Sequence, residues 1–379
     1  MKVYLDNAAT TRLDEEVLNA MLPYLREEFG NPSSIHAFGR RTRSAIEAAR
    51  KNVAKLLNVT PAEIFFTSGG TEADNMAICQ SIDTHGIRHA ISSRIEHHAV
   101  EHTLQVLEKE GKIKLSWVNL DKKGNVDLKH LEELLANNER SFVSLMHANN
   151  EVGTLLPIKK AGEICAKYNA VFHSDTVQTM GHFAMNLPEI KVHFVTCAAH
   201  KFHGPKGVGF LYINHGLKIK PMIHGGAQER NMRGGTENVA GIVGLSKAME
   251  IAFRDMTEHQ ENIRGIKKYM IEQLQQNIPG IEFNGEVGDN SLYTVLNCLF
   301  PHTENAEMLL FNLDIAGIAA SGGSACSSGS NQGSHVLRGL GIDMTRPAVR
   351  FSFSKYTTKE EIDFTVNKLK EFFAVKVTA

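Results

Sequence analysis

The sequence carries no excess of charge: 41 Lys and Arg face 42 Asp and Glu, for a formal net charge of −1. No long run of one sign appears either, so the chain lacks the electrostatic footprint of a nucleic-acid or anionic-membrane binder. It also lacks any uncharged apolar stretch of about 18 residues. Its first residues, MKVYLDNAATT, have neither the basic start nor the apolar middle and small-residue cleavage site of a secretory signal. The expectation is a cytoplasmic protein with no membrane contact. Cysteine is scarce and scattered: five, at positions 79, 165, 197, 298 and 326, with no CxxC pair. That odd set excludes a disulfide framework and a self-contained zinc site. Cys79, Cys165, Cys197 and Cys298 lie among apolar or helix-forming neighbours and read as small buried hydrophobes. Cys326 differs, because Gly and Ser surround it.

What is present is enough for two cores. A chain of 379 residues with 42% hydrophobic content exceeds one typical domain. Short apolar runs recur, each ending in residues with chemistry. Ala170-Val171-Phe172 reads as a buried strand that delivers Asp175 and Gln178 past its C-terminal end, the side of such strands where ligands bind. Phe194-Val195-Thr196-Cys197 delivers His200 and Lys201, followed by the turn Gly204-Pro205-Lys206-Gly207. Ile64-Phe65-Phe66-Thr67 opens into Ser68-Gly69-Gly70-Thr71-Glu72-Ala73 and then a helix. A glycine turn at a helix N-terminus aims free N–H groups at one point and suits a phosphate, with the Thr71 hydroxyl beside it.

Ala90 to Ser93 leads to Arg94-Ile95-Glu96-His97-His98-Ala99-Val100, and adjacent histidines on a helix do not easily share one ion, so no metal is expected. Ser141 to His147 ends in Asn149 and Asn150. Arg350, in a strand of alternating character from Pro347 to Phe353, can grip a carboxylate through two parallel hydrogen bonds or face outward. Asp14 caps a helix with Val17, Leu18, Met21 and Leu22 on its apolar face. From about Thr257 a long helix and the strand Thr294 to Leu299 begin a second, smaller unit.

A carboxylate at one strand end and a lysine at another suit pyridoxal phosphate, whose aldehyde needs an amine and whose ring nitrogen needs an anion. From spacing alone, a capping Asp and a surface Lys remain the alternative. The motif SDTVQ, followed by AHK-x-x-GPKG, resembles the class V aminotransferase-like, fold type I pyridoxal-phosphate enzymes, and within them the NifS/IscS-type cysteine desulfurases. The resemblance runs from DNAATT at Asp6 to RFSFSKYTTKEEID at Arg350. It implies an α/β fold: a large domain, 16–256, with a mostly parallel mixed sheet between helices, and a smaller α+β domain, 1–15 with 257–379, carrying a catalytic-cysteine loop at about 321–334.

The resemblance also implies roles. Lys201 takes the aldehyde and moves protons, Asp175 keeps the ring nitrogen protonated, and Gln178 donates to the phenolic oxygen. His97 stacks on the ring, leaving His98 in a variable position. Asn150 reaches the phenolic oxygen or the substrate carboxylate, and Arg350 holds that carboxylate. Gly70, Thr71 and His200 serve the phosphate, while Thr236 touches the phosphate of a partner subunit in a homodimer. Relatives usually carry a serine where this chain has Ala198, so one phosphate hydroxyl is expected to be missing. The stretch SGGSACSSG matches the class I desulfurase loop, in which Cys326 takes sulfur from L-cysteine as a persulfide, leaving L-alanine. Delivery to an iron–sulfur scaffold or another sulfur-acceptor protein would follow, with an Fe-S contact through Cys326 possible. A selenocysteine lyase, a class V aminotransferase and a noncatalytic scaffold-binding relative are the alternatives.

Overall fold

The computed structural model describes residues 1–303, 308–322 and 333–373. Cys326 lies outside the described residues. A seven-stranded sheet runs, edge to edge, through Ile64–Thr67, Gly209–Ile213, Phe194–Ala198, Val171–Asp175, Ser141–Ser144, His89–Ser92 and Lys114–Trp117. All pairs are parallel except those of Gly209–Ile213, which runs antiparallel to both its neighbours. Six of the seven strands therefore point the same way. The connections from Thr67, Ser92, Ser144, Asp175 and Ala198 all leave from one end of the sheet, and there the residues that follow them converge.

Buried strands explain why these segments read as short apolar runs rather than alternating ones: Ile64–Thr67, Ser141–Ser144, Val171–Asp175 and Phe194–Ala198 have no exposed residue. One apolar cluster lies against the helices Glu15–Arg26, Ala37–Leu56 and Val239–Arg254, with Val17, Ile46, Val53, Phe172, Val195 and Leu245 among its members. The other face is filled by Ala77, Ile78, Leu104, Phe142 and Leu211, largely from Gly70–His85 and His98–Lys109.

A second assembly has its own core. The antiparallel strands Ala348–Ser352, Val295–Leu299 and Glu282–Asn284 form a three-stranded sheet. It packs with the helices Met256–Asn277 and Lys359–Phe373 around Met270, Leu274, Phe300, Phe351 and Ile362. The N-terminal strand Val3–Tyr4 pairs parallel with Ile318–Ala319, and Val3 and Leu5 join that core. Asp6 and Asn7 then lead the chain across to the large sheet: Asn7 Nδ2 donates to Ser352 O at 2.9 Å, and Thr11 Oγ1 donates to His200 O at 3.0 Å. The crossing places Ala8 and Ala9 beside Lys201.

Candidate active site

A cavity of about 220 Å³ opens at the C-terminal ends of the parallel strands, lined by Ala8, Ala9, Gly70, Thr71, Asp74, His97, Met146, Asn150, Asp175, Val177, Gln178, Ala198, His200, Lys201 and Arg350. Each strand contributes through the loop after it. Lys201 follows Phe194–Ala198 on a single 3-10 turn, Ala199–Lys201, and its Nζ donates to Ala8 O at 2.6 Å and Ala9 O at 2.9 Å. Asp175 ends its strand, and its Oδ1 accepts from Val177 N at 2.8 Å. Gln178 Nε2 donates to Ala8 O at 3.1 Å.

The two neighbouring asparagines divide their work. Asn149 is engaged mainly with the backbone, donating to Ile95 O at 2.7 Å and accepting from Glu151 N and Val152 N at 2.8 and 2.9 Å, with Met146 Sδ as a further acceptor at 3.5 Å. Asn150 is the one on the cavity wall. His97 caps the helix His98–Lys109, its Nδ1 accepting from Ala99 N at 3.2 Å, which in a neutral ring leaves the proton on Nε2. Burial, helped by the Lys201 charge and nearby histidines, pushes its pKa down to about 4. His200 is pushed to about 4 in the same way, by burial and then by Lys201 and Lys206. Its Nδ1 lies 3.1 Å from Thr10 Oγ1.

The first turn of Gly70–His85 forms one end of the cavity. Its leading N–H groups have no intrahelical acceptor, and Gly70 is small by necessity, because a Cβ there would sit 2.9 Å from Val177 Cγ2. Close by is a set of buried carboxyl groups that composition and motif did not bring out, of which Asp74 lines the cavity and Glu96 does not. Asp74 is 1% exposed and Glu96 is also 1% exposed. Burial raises Asp74 to about 7 and Glu96 to about 8, and raises Asp175 to about 7 with the Asp74 charge adding to it. Glu96 is fully engaged, accepting from Ser93 Oγ at 2.6 Å and Met146 N at 2.9 Å. Asp74 is not: its Oδ1 accepts no hydrogen bond among the described residues, although His173 Nε2 is 3.3 Å away. Four residues after Gly70, Asp74 lies on the same helical face.

Arg350 is 1% exposed, and its fork is divided. Nη2 donates to Asp6 Oδ1 at 2.8 Å and Nη1 to Asn150 O at 3.0 Å, while the buried Nε has no partner among the described residues. The expected grip through two parallel hydrogen bonds is therefore not offered whole. A grip through two bonds requires an arm of the fork to be shared with or released from Asp6 or Asn150. Thr236 is not on this cavity. It lines a separate surface pocket with Ser68, Arg233 and Asn238, and it does not cap the next helix, since Asn238 does so by accepting from Gly241 N at 3.0 Å. The thiols of Cys165, Cys197 and Cys298 are buried and that of Cys79 is half-buried, and none lines the cavity.

The cavity suits a ligand with an anionic end, an aldehyde and a basic ring nitrogen. N–H donors and Thr71 stand at one end and Lys201 at the wall. Also lining the cavity is a buried carboxyl group whose ionised form needs a cation. These are the demands of pyridoxal phosphate, and the residues present fit them.

The comparisons agree with that geometry. The family description aminotransferase class-V matches residues 3–364. A curated cysteine desulfurase IscS from Dictyoglomus turgidum is 46% identical over 374 residues, 97% of this chain and 94% of that protein. A cysteine desulfurase NifS from Azotobacter vinelandii is 41% identical over 376 residues, 98% of this chain and 92% of that protein. Among solved structures, a NifS-like protein superposes with a TM-score of 0.91 at 39% identity, covering 98% of this chain and 99% of its own. SspA in complex with cysteine superposes with a TM-score of 0.81 at 30% identity, covering 94% of this chain and all of its own.

Proposed function

The chain belongs to the class-V aminotransferase family of pyridoxal-phosphate enzymes, and from that premise we propose that it is a cysteine desulfurase, converting L-cysteine to L-alanine and passing the sulfur to Cys326 as a persulfide for iron–sulfur cluster assembly. The observation that carries the proposal is the gathering of Lys201, Asp175, Asn150, His97 and Arg350 around one cavity, in a chain nearly as long as its desulfurase relatives.

When bound, pyridoxal phosphate supplies an aldehyde for an amine and a ring that withdraws electrons from the carbon being worked on. The chain's own residues do the rest. Lys201 brings the amine, held between Ala8 O and Ala9 O, and afterwards gives and takes protons. Burial, and then the Asp74 charge, raise the Asp175 carboxyl to about 7, against the lowering pull of His173 and Lys201. A protonated ring nitrogen against Asp175 would favour the carboxylate by charge attraction, and the carboxylate would in turn favour the protonated ring. His97, neutral above about pH 5, presents an apolar ring face together with an N–H. The first-turn N–H groups, Thr71 and His200 would hold the phosphate, and Gln178 and Asn150 would serve the ring's oxygen. Arg350, on the cavity wall, would meet the substrate carboxylate once an arm of its fork is freed from Asp6 or Asn150. Cys326 is assigned the sulfur because the other four thiols stand away from the cavity.

The same reading assigns residues 16–256 to a cofactor-binding domain and 1–15 with 257–379 to a smaller one. It also makes the protein a cytoplasmic homodimer. Among the described residues no helix is long and apolar enough to cross a membrane. Thr236, away from its own chain's cavity, would serve the phosphate of the partner subunit. The test is release of sulfide and alanine from L-cysteine in the presence of a reductant. Cys326→Ser is expected to abolish sulfide release while the visible absorbance of the bound cofactor persists. Turnover undiminished by that substitution, or a cofactor-loaded wild type that releases neither product, would refute the proposal.

A further inference from the structure

We propose that His98, Glu101 and His335 form a binding site for a divalent transition metal of the zinc class, separate from the cofactor cavity. The site would join the helix His98–Lys109 to the short helix His335–Gly339. This departs from the expectation that the paired histidines hold no metal. That expectation weighed His97 with His98 on one helix, whereas the fold turns His98 away from the cavity and brings His335 to it.

One ligand atom from each of the three side chains lies within 4.8 Å of the others. Glu101 Oε2 is 3.8 Å from His98 Nδ1 and 3.6 Å from His335 Nε2. Ligand atoms around a tetrahedral zinc with bonds of about 2.0–2.1 Å stand about 3.4 Å apart, so both distances require shifts of only a few tenths of an ångström. His98 and Glu101, three residues apart, share a helical face. His98 Nδ1 is removed from water and accepts no hydrogen bond among the described residues, which leaves a buried polar atom without an assigned purpose.

The surroundings prepare the group for a cation. The His98 ring is held between those of His102 and His335, with centroids 4.5 and 4.3 Å away. Glu101 Oε1 accepts from Gln105 Nε2 at 3.2 Å, orienting the carboxylate so that Oε2 faces the histidines. One contact must be given up: His335 Nε2 lies 2.9 Å from Glu96 O, and ligation turns that nitrogen toward the ion with the ring proton on Nδ1. Two imidazoles and a carboxylate select zinc, cobalt or nickel over calcium or magnesium. Three protein ligands leave a fourth position for water.

The position gives the site a purpose. The helix His335–Gly339 is already anchored on the large sheet's side by Ser334 Oγ donating to Glu151 Oε2 at 2.5 Å and by Val336, Leu337 and Leu340 packing on Ile95 and Val152. A metal clamp would add a polar lock to that anchor, three residues beyond the segment 323–332 that contains Cys326, and one residue from His97.

The experiment uses the pyridoxal-phosphate-loaded protein carrying Cys326→Ser, which removes a competing thiol. Zinc is titrated against a chromophoric chelator. One zinc per chain is expected, weakened at least about tenfold by Glu101→Gln and by His335→Phe. Phe preserves the ring stack but has no ligand nitrogen, so its effect separates ligation from packing. Melting temperatures without zinc report whether the variants are folded, and zinc should raise that of the parent but of neither variant. No stoichiometric zinc binding, or binding indifferent to both substitutions, would overturn the proposal.

Discussion

Ala198→Ser tests how the phosphate end of the cavity is built. Ala198 is 2% exposed at the end of its strand, and its Cβ lies 3.8 Å from where a Cβ on Gly70 would stand, so it borders the first turn that would hold the phosphate. A hydroxyl there can donate to an anion. Hydrogen bonds to charged groups contribute about 1.5–3 kcal/mol, from which ordering and desolvation of the new hydroxyl subtract about 1 kcal/mol, leaving on the order of 1 kcal/mol, or roughly fivefold in affinity. The assay is equilibrium dialysis of the apoenzyme against pyridoxal phosphate, followed by absorbance and cofactor fluorescence. Ala198→Ser should retain the cofactor about fivefold more tightly. Gly70→Ala should act in the opposite direction, because its Cβ would press on Val177 Cγ2 at 2.9 Å. If both substitutions leave retention unchanged, the phosphate is not held at this turn.

Three other substitutions probe the scaffold. Glu229→Ala should lower stability to urea by about 3–5 kcal/mol, because Glu229 forms a buried two-bond pair with Arg50, at 2.7 and 2.9 Å, and also accepts from Phe66 N at 2.9 Å; a loss below 1 kcal/mol would show that Arg50 finds another partner. Gly162→Ala places a Cβ 1.9 Å from Ile190 O, and the resulting overpacking should cost about 1–3 kcal/mol or more, read as a fall in the urea midpoint. Lys267, 3% exposed, has its pKa lowered to about 8 by burial, against about 10.4 in an unfolded chain. Between those values the unfolded chain binds more protons, so this lysine makes stability rise with pH from about 8 to about 10.4, by roughly 3 kcal/mol at the limit. The stability difference between wild type and Lys267→Met should therefore vary over that range, and a flat difference would disprove the assignment.

The positions of Lys201 and Asp175 on the cavity were legible because a fully buried parallel strand reads as a short apolar run, and the residues at or just past its C-terminal end reach the cavity. His97 and Asn150 each had an adjacent twin that spacing could not separate and the resemblance could: in the fold Asn149 is engaged by Ile95, Glu151 and Val152, whereas Asn150 lines the cavity. Asp74 and Glu96 were illegible for a different reason. A carboxylate in a helix or loop is ordinarily solvated, and nothing local records that the sheet will cover it. Nor did the sequence show that Asp6 would take one arm of Arg350, since that pairing spans 344 positions. The left-handed run Glu229, Arg230 and Asn231, with φ of 44°, 57° and 65° and no glycine, has no local signal either. The Arg50–Glu229 pair holds the first of these residues in a conformation its side chain disfavours.

The charges missing from the sequence reading alter what the cavity is. Counting motif residues alone, Asp175 would be an ordinary ionised carboxylate waiting for a ring. With Asp74 beside it and Glu96 nearby, all three buried, ionising any one raises the others, so without a cation the group tends to retain protons. A positively charged ring nitrogen relieves that repulsion directly at Asp175, and it finds histidines 97 and 200 already neutral. A cationic ring nitrogen would therefore be favoured beside these carboxyl groups, and a phosphate at the N–H donors of the first helical turn. The orientation of an elongated ligand follows from those two ends before Lys201 reacts with it. Asp74→Asn tests this separately from Asp175: removing the neighbouring charge should lower the Asp175 pKa and weaken retention of the protonated cofactor, seen as a shift of its absorbance with pH toward the unprotonated form. An unchanged titration would mean that Asp175 acts alone.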